Sequence, residues 1–359
     1  MNVLLISSGE QPAIKGLCTK LNEYYPNDSF EHINYYSKNP YPIFAKIPLL
    51  RYIYRLLIFM SFKVKIRQSD VINIHYIDSY TEPLIRLIRY VKRHILIVVS
   101  VWGSDYFIIQ NKAVSYRRKT FALSDLITFA NTSYISDFAV RYDNKYDHKV
   151  RQVRFGLKQL ELIKDILSDT SKDELKNIKQ ISAKYCILAG TNAQENQQHE
   201  LMIEQLNMLP DEIKRQVCFI FPLTYGNNKE RVVNLLKESN INYLIYDNWL
   251  TDQEIAELRI ICDITIQLQT NDQFSGAMQE ALYAGNQVIT GAWLDYSDFI
   301  QRGIDIHYIS DFPALVDQIS EVLAFIERKE ANKNPDRVWE LSSWEKNIIA
   351  WYDIYKEYV

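Results

Sequence analysis

The sequence predicts an α/β protein with two domains, each built on a parallel sheet that helices cover on both faces. The chain has 359 residues, which exceeds one ordinary domain and suits two domains of roughly 150 residues each. Short, nearly unbroken aliphatic runs alternate with amphipathic stretches along both halves of the chain. Such runs are typical of strands buried on both faces, and helices between them favour parallel connections.

These aliphatic runs predict the positions of the strands. In the first half, a helix through Leu21 follows the first strand, and the predicted strands are residues 3–7, 70–75, 95–101 and 126–130. A polar segment at 165–179 contains the interdomain connection or a helix beside it. The second half then has predicted strands at residues 185–189, 217–222, 243–246, 264–268 and 287–290.

The last residues of the chain, 342–358, have a strong helical pattern. Apolar side chains recur there at helical spacing, so we expect one stripe of this helix to be buried. The stripe consists of Trp344, Ile348, Trp351 and Tyr355.

Charge is distributed unevenly along the chain. Residues 1–160 hold 23 of the 41 Lys and Arg residues but 12 of the 44 acidic residues. A basic half joined to an acidic half predicts that the first half faces an anionic partner. The four cysteines are scattered in apolar runs without metal-ligand spacing, which indicates reduced core residues in the cytosol. Neither a signal peptide nor a transmembrane helix is expected.

Residues 41–67 combine aliphatic and aromatic residues with six Lys and Arg residues and no acidic residue. This composition predicts a helix in the interface of an anionic membrane, with its cations among the headgroups. The alternative is an ordinary helix that packs on the sheet with a solvated basic face. We favour the membrane because the segment lacks acidic partners. Nucleic acid is not an expected partner, because the segment is aliphatic rather than interleaved with stacking positions.

Residues 272–285 carry the clearest functional pattern. A predicted strand leads into a loop of small residues and then into a helix, so backbone N–H groups and the helix N-terminus could bind an anion such as a diphosphate. Glu280, one turn into this helix, could accept hydrogen bonds from the vicinal hydroxyls of a ribose. Asp272, in the loop, could reach the hydroxyls of a sugar.

This stretch resembles the donor-binding signature of GT-B glycosyltransferases of the family 4 type, in which two acidic residues with seven positions between them precede Ala and Gly. The resemblance implies two Rossmann-like domains that face each other across a cleft. It also implies that Glu280 holds the ribose of a nucleotide-sugar and Asp272 the sugar, although Asp replaces the usual Glu at 272. The other implied donor-binding residues are Phe274, Ser275, Gly276 and Ala277.

Other segments resemble the same family in the same order. Residues 101–105 (VWGSD) resemble a loop that closes the N-domain site, and residues 155–157 lie where the interdomain crossover begins. The 342–358 helix resembles the carboxy-terminal helix that crosses back onto the N-domain. The implied domains are 1–160 plus 340–359, which binds the acceptor, and 180–335, which binds the donor.

A narrower resemblance bears on the acceptor. Residues 101–107, 187–199 and 221–227 resemble the enterobacterial transferases that add N-acetylfucosamine to a polyprenyl-diphosphate-linked glycan. This favours a lipid-linked glycan as the acceptor.

One departure from the family concerns the diphosphate. Family 4 enzymes usually place an Arg and a Lys after the first strand of the C-domain, whereas residues 189–194 contain neither. Without these charges, the leaving group must be stabilised mainly by dipoles and helix ends, or by other side chains. The candidates are Asn192, Gln197, His199, Lys229 and Arg231.

Three single residues are further candidates. His75 closes a strand at the edge where α/β sheets bind ligands, either as a catalytic residue or as a hydrogen-bonded structural histidine. Asp105 follows another strand, either as the general base for an acceptor hydroxyl or as a helix cap. Trp249 lies where related enzymes hold the nucleotide base, although core packing is the commoner role of a lone Trp.

The resemblance therefore implies a hexosyltransferase. We expect it to be metal-independent and without a cofactor, because the sequence contains no Asp-x-Asp pair and no metal spacing of histidines. Its nucleotide-sugar is a co-substrate. The enzyme would act on the inner face of the plasma membrane, in the assembly of a bacterial capsule, O-antigen or exopolysaccharide. The alternatives are a degenerate GT-B protein that binds a membrane or partner without turnover, and a nucleotide-sugar 2-epimerase of the same fold.

Overall fold

The structure is a computed structural model that describes residues 1–7, 11–34, 48–102, 104–107, 113–272 and 275–357, with only the backbone described at 48–52, 54–58, 104, 107 and 113–116. The chain divides into two compact units. Unit 1 comprises Met1–Gly156 with Trp344–Val359, and unit 2 comprises Leu157–Ser343. Within the described ranges, none of the helices has the length and apolar character needed to cross a bilayer.

Unit 1 contains a parallel sheet of six strands in the order β2-β1-β3-β4-β5-β6. The strands are β1 (Asn2–Ser7), β2 (Ser29–Asn34), β3 (Val71–His75), β4 (Leu96–Ser100), β5 (Leu126–Phe129) and β6 (Val150–Gln152). The described helices are α1 (Pro12–Tyr24), α2 (Pro48–Gln68), α3 (Thr81–Val91), α4 (Ser104–Phe107), α5 (Ala113–Leu123) and α6 (Thr132–Arg141), with a 3₁₀ turn at Asp147–Lys149. The predicted strands 3–7, 70–75, 95–101 and 126–130 are confirmed.

Both faces of this sheet are buried, which explains the unbroken apolar runs. Successive side chains of a strand point to opposite faces. In β1, Val3 and Leu5 belong to one apolar cluster, whereas Leu4 and Ile6 belong to another on the opposite face. The sequence pattern missed β2 and β6, because β2 is a partly exposed edge strand and β6 has only three residues.

The carboxy-terminal helix of the chain, α17 (Trp344–Lys356), packs on the sheet of unit 1. The four residues of the predicted stripe are all buried, which confirms that prediction. Trp351 Nε1 donates to the carbonyl of Arg154 at 2.9 Å, and Asn73 Nδ2 donates to the hydroxyl of Tyr355 at 2.8 Å. These bonds join the end of the chain to β3 and to the last residues before unit 2.

Helix α2 has two apolar faces. Phe59, Phe62 and Ile66 are buried in unit 1, whereas Ile53, Met60 and Val64 are 50%, 51% and 62% exposed. The expectation that the cations of this segment lack acidic partners is wrong at one position, because Lys65 forms an ion pair with Glu31 of β2. The partner is distant in sequence, so the composition of the segment could not reveal it. Residues 41–47 of the segment lie outside the described residues.

Unit 2 contains a second parallel sheet of six strands, in the order β12-β11-β10-β7-β8-β9. The strands are β7 (Tyr185–Ala189), β8 (Val217–Pro222), β9 (Tyr243–Tyr246), β10 (Ile264–Gln267), β11 (Gln287–Gly291) and β12 (His307–Ile309). The helices are α7 (Lys158–Asp169), α8 (Lys172–Ile178), α9 (His199–Asn207), α10 (Asp211–Gln216), α11 (Lys229–Glu238), α12 (Asp252–Ile261), α13 (Gly276–Tyr283), α14 (Ser297–Gln301), α15 (Leu315–Glu327) and α16 (Asn334–Ser342), with a 3₁₀ turn at Glu195–Gln197.

The five strands predicted for the second half are confirmed, and the three-residue edge strand β12 was missed. The polar segment 165–179 lies in α7 and α8 of unit 2, and the chain passes between the units at residues 156–157 and 343–344. Cys186, Cys218 and Cys262 are buried free thiols, as predicted, whereas Cys18 is partly exposed.

Candidate functional site

The topology of unit 2 creates a crevice at the carboxyl ends of β7 and β10. These strands are neighbours, but β8 and β9 lie on one side of the pair and β11 and β12 on the other. In open parallel sheets, ligands bind where the strand order reverses in this way. The loops that follow the two strands are joined, since Gln198 Nε2 donates to the carbonyl of Leu268 at 2.6 Å and Thr270 N donates to that of Asn196 at 2.9 Å.

The loop after β7 is also fixed to the loop after β8. Ala193 N donates to the carbonyl of Tyr225 at 2.6 Å, and Asn228 N donates to that of Ala193 at 3.0 Å. The buried Asn192 donates from Nδ2 to the hydroxyl of Tyr225 at 3.2 Å. Asn192, predicted as a donor-binding residue, therefore holds the ring of Tyr225 in place. Two of the segments that suggested a lipid-linked acceptor, 187–199 and 221–227, thus meet in the fold.

A pocket of about 270 Å³ lies at this edge of unit 2. Its lining includes Tyr225, Trp249, Arg259, Ala277 and Glu280. The core-packing role considered for Trp249 is wrong, because this side chain is 76% exposed. The rings of Trp249 and Tyr225 lie 5.6 Å apart between centroids at an angle of 37°. Two aromatic rings therefore line the pocket, where they can pack against a flat ligand.

Glu280 projects into this pocket from α13. Its Oε2 accepts a hydrogen bond from Nε of Arg259, at 3.2 Å, and the two side chains are only 13% and 7% exposed. Gly276, at the start of the same helix, leaves room beside the other oxygen: a Cβ atom there would lie 4.0 Å from Glu280 Oε1. Asn286 Nδ2 donates to the backbone carbonyl of Arg259 at 2.8 Å, which fixes the main chain at this residue.

Ser275 begins α13 as its N-cap. Its hydroxyl accepts from Met278 N at 3.2 Å and from Gln267 Nε2 at 2.6 Å. The next two amides, of Gly276 and Ala277, donate to no described residue. The first amides of a helix lack partners within it and carry its positive dipole end. These two amides are therefore available to an anion.

Two side chains hold Asp272 in place by hydrogen bonds. The hydroxyl of Tyr296 donates to its Oδ2 at 2.5 Å, and Gln267 Nε2 donates to the same oxygen at 3.1 Å. Burial and the neighbouring carboxylate raise the pKa of Tyr296, so this tyrosine stays protonated and donates at neutral pH. Asp272 is not among the residues that line the pocket of Glu280. Phe274, the remaining predicted residue of this loop, lies outside the described residues.

The candidate replacements for the missing cations do not line this pocket. Arg231 pairs with Glu200, and Lys229 donates to the carbonyl of Asp247 at 2.9 Å. Gln197 accepts from the amide of Thr191 at 3.0 Å, so it braces the loop after β7. His199 is fully buried, and burial lowers its pKa to about 4, so it carries no charge at neutral pH.

Arg259 is the charged pocket residue that the sequence analysis did not identify. It lies near the end of α12, outside the 272–285 pattern and outside the loop where cations were sought. Only the fold brings α12 beside α13. No spacing rule in the sequence links position 259 to position 280, so no local signal could have identified it.

In unit 1, His75 closes β3 at a site that is fully enclosed. Its ring lies 5.8 to 6.1 Å between centroids from Trp102, Phe155 and Trp351. Neither ring nitrogen has a hydrogen-bond partner among the described residues, so the hydrogen-bonded structural role is not observed. Burial, with a smaller contribution from the charge of His32, lowers the pKa of His75 to about 3. The imidazole is therefore neutral at pH 7, and its catalytic role stays a prediction.

Asp105 joins two loops at the carboxyl edge of the same sheet. Its Oδ2 accepts from Ile77 N at 2.8 Å, and its Oδ1 accepts from Trp102 N at 2.9 Å. The carboxylate is 3% exposed, and Gly103 beside it lies outside the described residues. These bonds give Asp105 a structural role in joining the two loops, and its role as a general base stays a prediction.

Across the described part of the chain, no group of three or more His, Cys, Asp or Glu side chains is arranged to hold a metal ion. The charged groups described at the pocket in unit 2 are Glu280 and Arg259.

No protein-family model and no curated protein sequence matches the chain. Solved structures do match. A sucrose-phosphate synthase from Thermosynechococcus elongatus has a TM-score of 0.71 at 14% identity, covering 99% of this chain and 98% of that one. A glycosyltransferase from Rickettsia africae has a TM-score of 0.70 at 14% identity, with the same coverage. HepE from Anabaena, solved with UDP and glucose, has a TM-score of 0.67 at 12% identity, again with the same coverage.

These similarities extend over both sheets of the chain and show the fold. The chain has the GT-B fold class with two Rossmann-like domains, which confirms the fold predicted from the sequence. At sequence identities of 12% and 14%, the similarity shows only the fold. It does not indicate which sugar, acceptor or family applies to this chain.

Proposed function

We propose that this protein is a glycosyltransferase that binds a nucleotide-sugar donor in the pocket of unit 2. The observation that carries the proposal is the pocket at the strand-order reversal, where a carboxylate, an aromatic pair and a helix N-terminus meet. These are the groups that a nucleotide-sugar requires: a surface for the base, a paired acceptor for the ribose hydroxyls, and N–H donors for the phosphates. The HepE structure of the same fold contains UDP and glucose, which supports this class of donor.

Each part of the donor has a candidate contact. Trp249 and Tyr225 offer ring faces to the base, and Glu280 accepts hydrogen bonds from the ribose. The amides of Gly276 and Ala277 donate to a phosphate. Asp272, oriented by Tyr296, accepts from the hydroxyls of the sugar. The reaction would be metal-independent, as in the family 4 type that the 272–285 stretch resembles.

Replacing Trp249 by alanine is expected to weaken the binding of the donor nucleotide by about 10- to 100-fold, because stacking of a base on an aromatic ring contributes about 1–3 kcal/mol. The side chain is mostly exposed, so the melting temperature should hardly change. Calorimetric titration of UDP, GDP, dTDP and CMP checks this. Met208→Ala, which removes another exposed apolar side chain of unit 2, is the control. Unchanged affinity in Trp249→Ala would contradict the base contact.

For the acceptor, we propose a polyprenyl-diphosphate-linked glycan at the inner face of the plasma membrane, in the synthesis of a bacterial surface polysaccharide. The exposed apolar residues of α2 support this, together with the excess of Lys and Arg over acidic residues in the first 160 residues. A lipid-linked substrate requires the enzyme to work at a membrane surface, and an apolar stripe beside cations suits an anionic interface.

Replacing Ile53, Met60 and Val64 together by serine is expected to release the protein from vesicles that contain phosphatidylglycerol. About 25 cal/mol is gained for each Å² of apolar surface that leaves water, so three such side chains contribute several kcal/mol. Co-sedimentation with vesicles measures the bound fraction. The control is a variant with Ile178 and Met208 of unit 2 replaced by serine. Equal sedimentation of both variants would contradict a role of α2 in membrane binding.

A further inference from the structure

The pocket of unit 2 contains a positively charged side chain to which the proposed function assigns no role. Arg259 is the one positively charged side chain among the described residues that line the pocket, and it is 7% exposed. A guanidinium cannot lose its proton in a protein, so this charge is permanent. Placing a permanent charge at a nearly buried position is costly unless it is paired.

Glu280 pairs with only part of this guanidinium. Its carboxylate accepts from Nε, whereas no described residue accepts a hydrogen bond from Nη1 or Nη2 of Arg259. A bidentate pair would use two parallel N–H groups, which this geometry does not provide. Four N–H donors of Arg259 therefore remain for another acceptor at the pocket.

The surroundings of Arg259 suit an anion. Ala277, whose amide donates to no described residue, lines the same pocket from the N-terminus of α13. A planar guanidinium and the first amides of a helix both favour phosphate oxygens. Glu280 lines the same pocket, where it can hold the ribose of the nucleotide that carries this phosphate.

We infer that Arg259 binds a phosphate of the donor nucleotide and supplies the positive charge that the loop after β7 lacks. This rests on the proposed function and adds the residue that neutralises the diphosphate. In the family that the chain resembles, an Arg and a Lys come from that loop, whereas residues 189–194 of this chain have neither. Here the charge comes from α12, through a side chain that also orients the ribose-binding carboxylate. As the sugar is transferred, the diphosphate leaves with the bonding electron pair, and Arg259 stabilises the negative charge that develops on it.

Titrations with uridine, UMP and UDP, or with the matching series for whichever nucleotide of the panel binds, separate a phosphate contact from an effect through Glu280. Arg259→Gln is expected to weaken UDP binding by about 10- to 100-fold and uridine binding by less than about threefold, because a hydrogen bond to a charged group is worth about 1.5–3 kcal/mol. Arg259→Lys keeps a charge and should recover part of the UDP affinity. Arg328→Gln removes a cation of unit 2 that pairs with Glu330 and does not line the pocket, and it should change none of the affinities.

The outcomes are distinguishable. An equal loss for uridine and UDP would overturn the inference, because Arg259 would then act through Glu280 alone. Unchanged UDP affinity in a folded Arg259→Gln would also overturn it. Because both substitutions disturb a buried ion pair, thermal unfolding accompanies each titration, and Arg259→Lys provides a second comparison if Arg259→Gln does not fold. If wild type binds none of UDP, GDP, dTDP or CMP, the proposed function itself fails, and the inference fails with it.

Discussion

Glu280→Ala is expected to lower the affinity for the donor nucleotide by about 100-fold or more. The carboxylate faces the pocket and can accept from two vicinal ribose hydroxyls, and each hydrogen bond to a charged group is worth about 1.5–3 kcal/mol. The substitution also leaves Arg259 nearly buried without its partner, which lowers the stability of the unbound protein, so thermal unfolding accompanies the titration. Calorimetric titration with the nucleotide that binds wild type measures the loss.

The control for this variant is Glu257→Ala. Glu257 lies on α12 and forms an ion pair with Lys179, but it does not line the pocket. The Glu257→Ala variant therefore loses an ion pair but no ligand contact, and its affinity for the nucleotide should match that of the wild-type protein. Glu280→Gln, which keeps the shape and removes the charge, should fall between wild type and Glu280→Ala. Wild-type affinity in Glu280→Ala would contradict the proposed contact between Glu280 and the ribose.

Gly226→Ala is expected to destabilise unit 2 by more than about 3 kcal/mol and to abolish nucleotide binding. Gly226 has φ of +127°, a conformation that costs an L-residue about 1–2 kcal/mol or more. A Cβ atom there would overlap the carbonyl group of Ala193 and lie 2.5 Å from the amide nitrogen of Gln194. Because these atoms are backbone, the loops after β7 and β8 would have to separate, and Tyr225 would move with them.

Gly285→Ala separates the effect of backbone strain on stability from the effect of the steric overlap at position 226. Gly285 has φ of +93°, but a Cβ atom there would meet no described atom within 4 Å. It should therefore cost only the backbone strain, about 1–2 kcal/mol, and leave nucleotide binding intact. Urea denaturation of wild type and both variants gives the comparison. Equal destabilisation by the two substitutions would contradict the close contact between the loops.

Apart from β9, a partly exposed edge strand, the strands that the sequence predicted are those buried on both faces. Residues 71–75 and 185–189, for example, are apolar or uncharged throughout, and a parallel sheet buries every one of them. The missed strands lie at sheet edges, where Ser29–Asn34 has one buried residue and His307–Ile309 has only three residues in all. Edge strands owe their position to pairing with a neighbour rather than to an apolar run, so local sequence carries little of this information.

At the site, the sequence identified the residues that belong to one continuous loop and helix. Glu280 and Ala277 line the pocket, and the pattern that contains them also positions Asp272 beside them in sequence. Arg259 and Tyr225 could not be found in this way, because each reaches the pocket from a different element. For Trp249, exposure in the fold excluded core packing, and the residue type alone could not predict that exposure.

Calorimetric titration of the wild-type protein with UDP, GDP, dTDP and CMP, with and without attached sugars, would show whether unit 2 binds a nucleotide-sugar. We expect one nucleotide to bind at a single site and its sugar derivatives to bind there too. Failure of every nucleotide to bind a folded protein would contradict the proposed donor site. It would instead favour a GT-B protein that retains the fold and binds a partner or membrane without turnover.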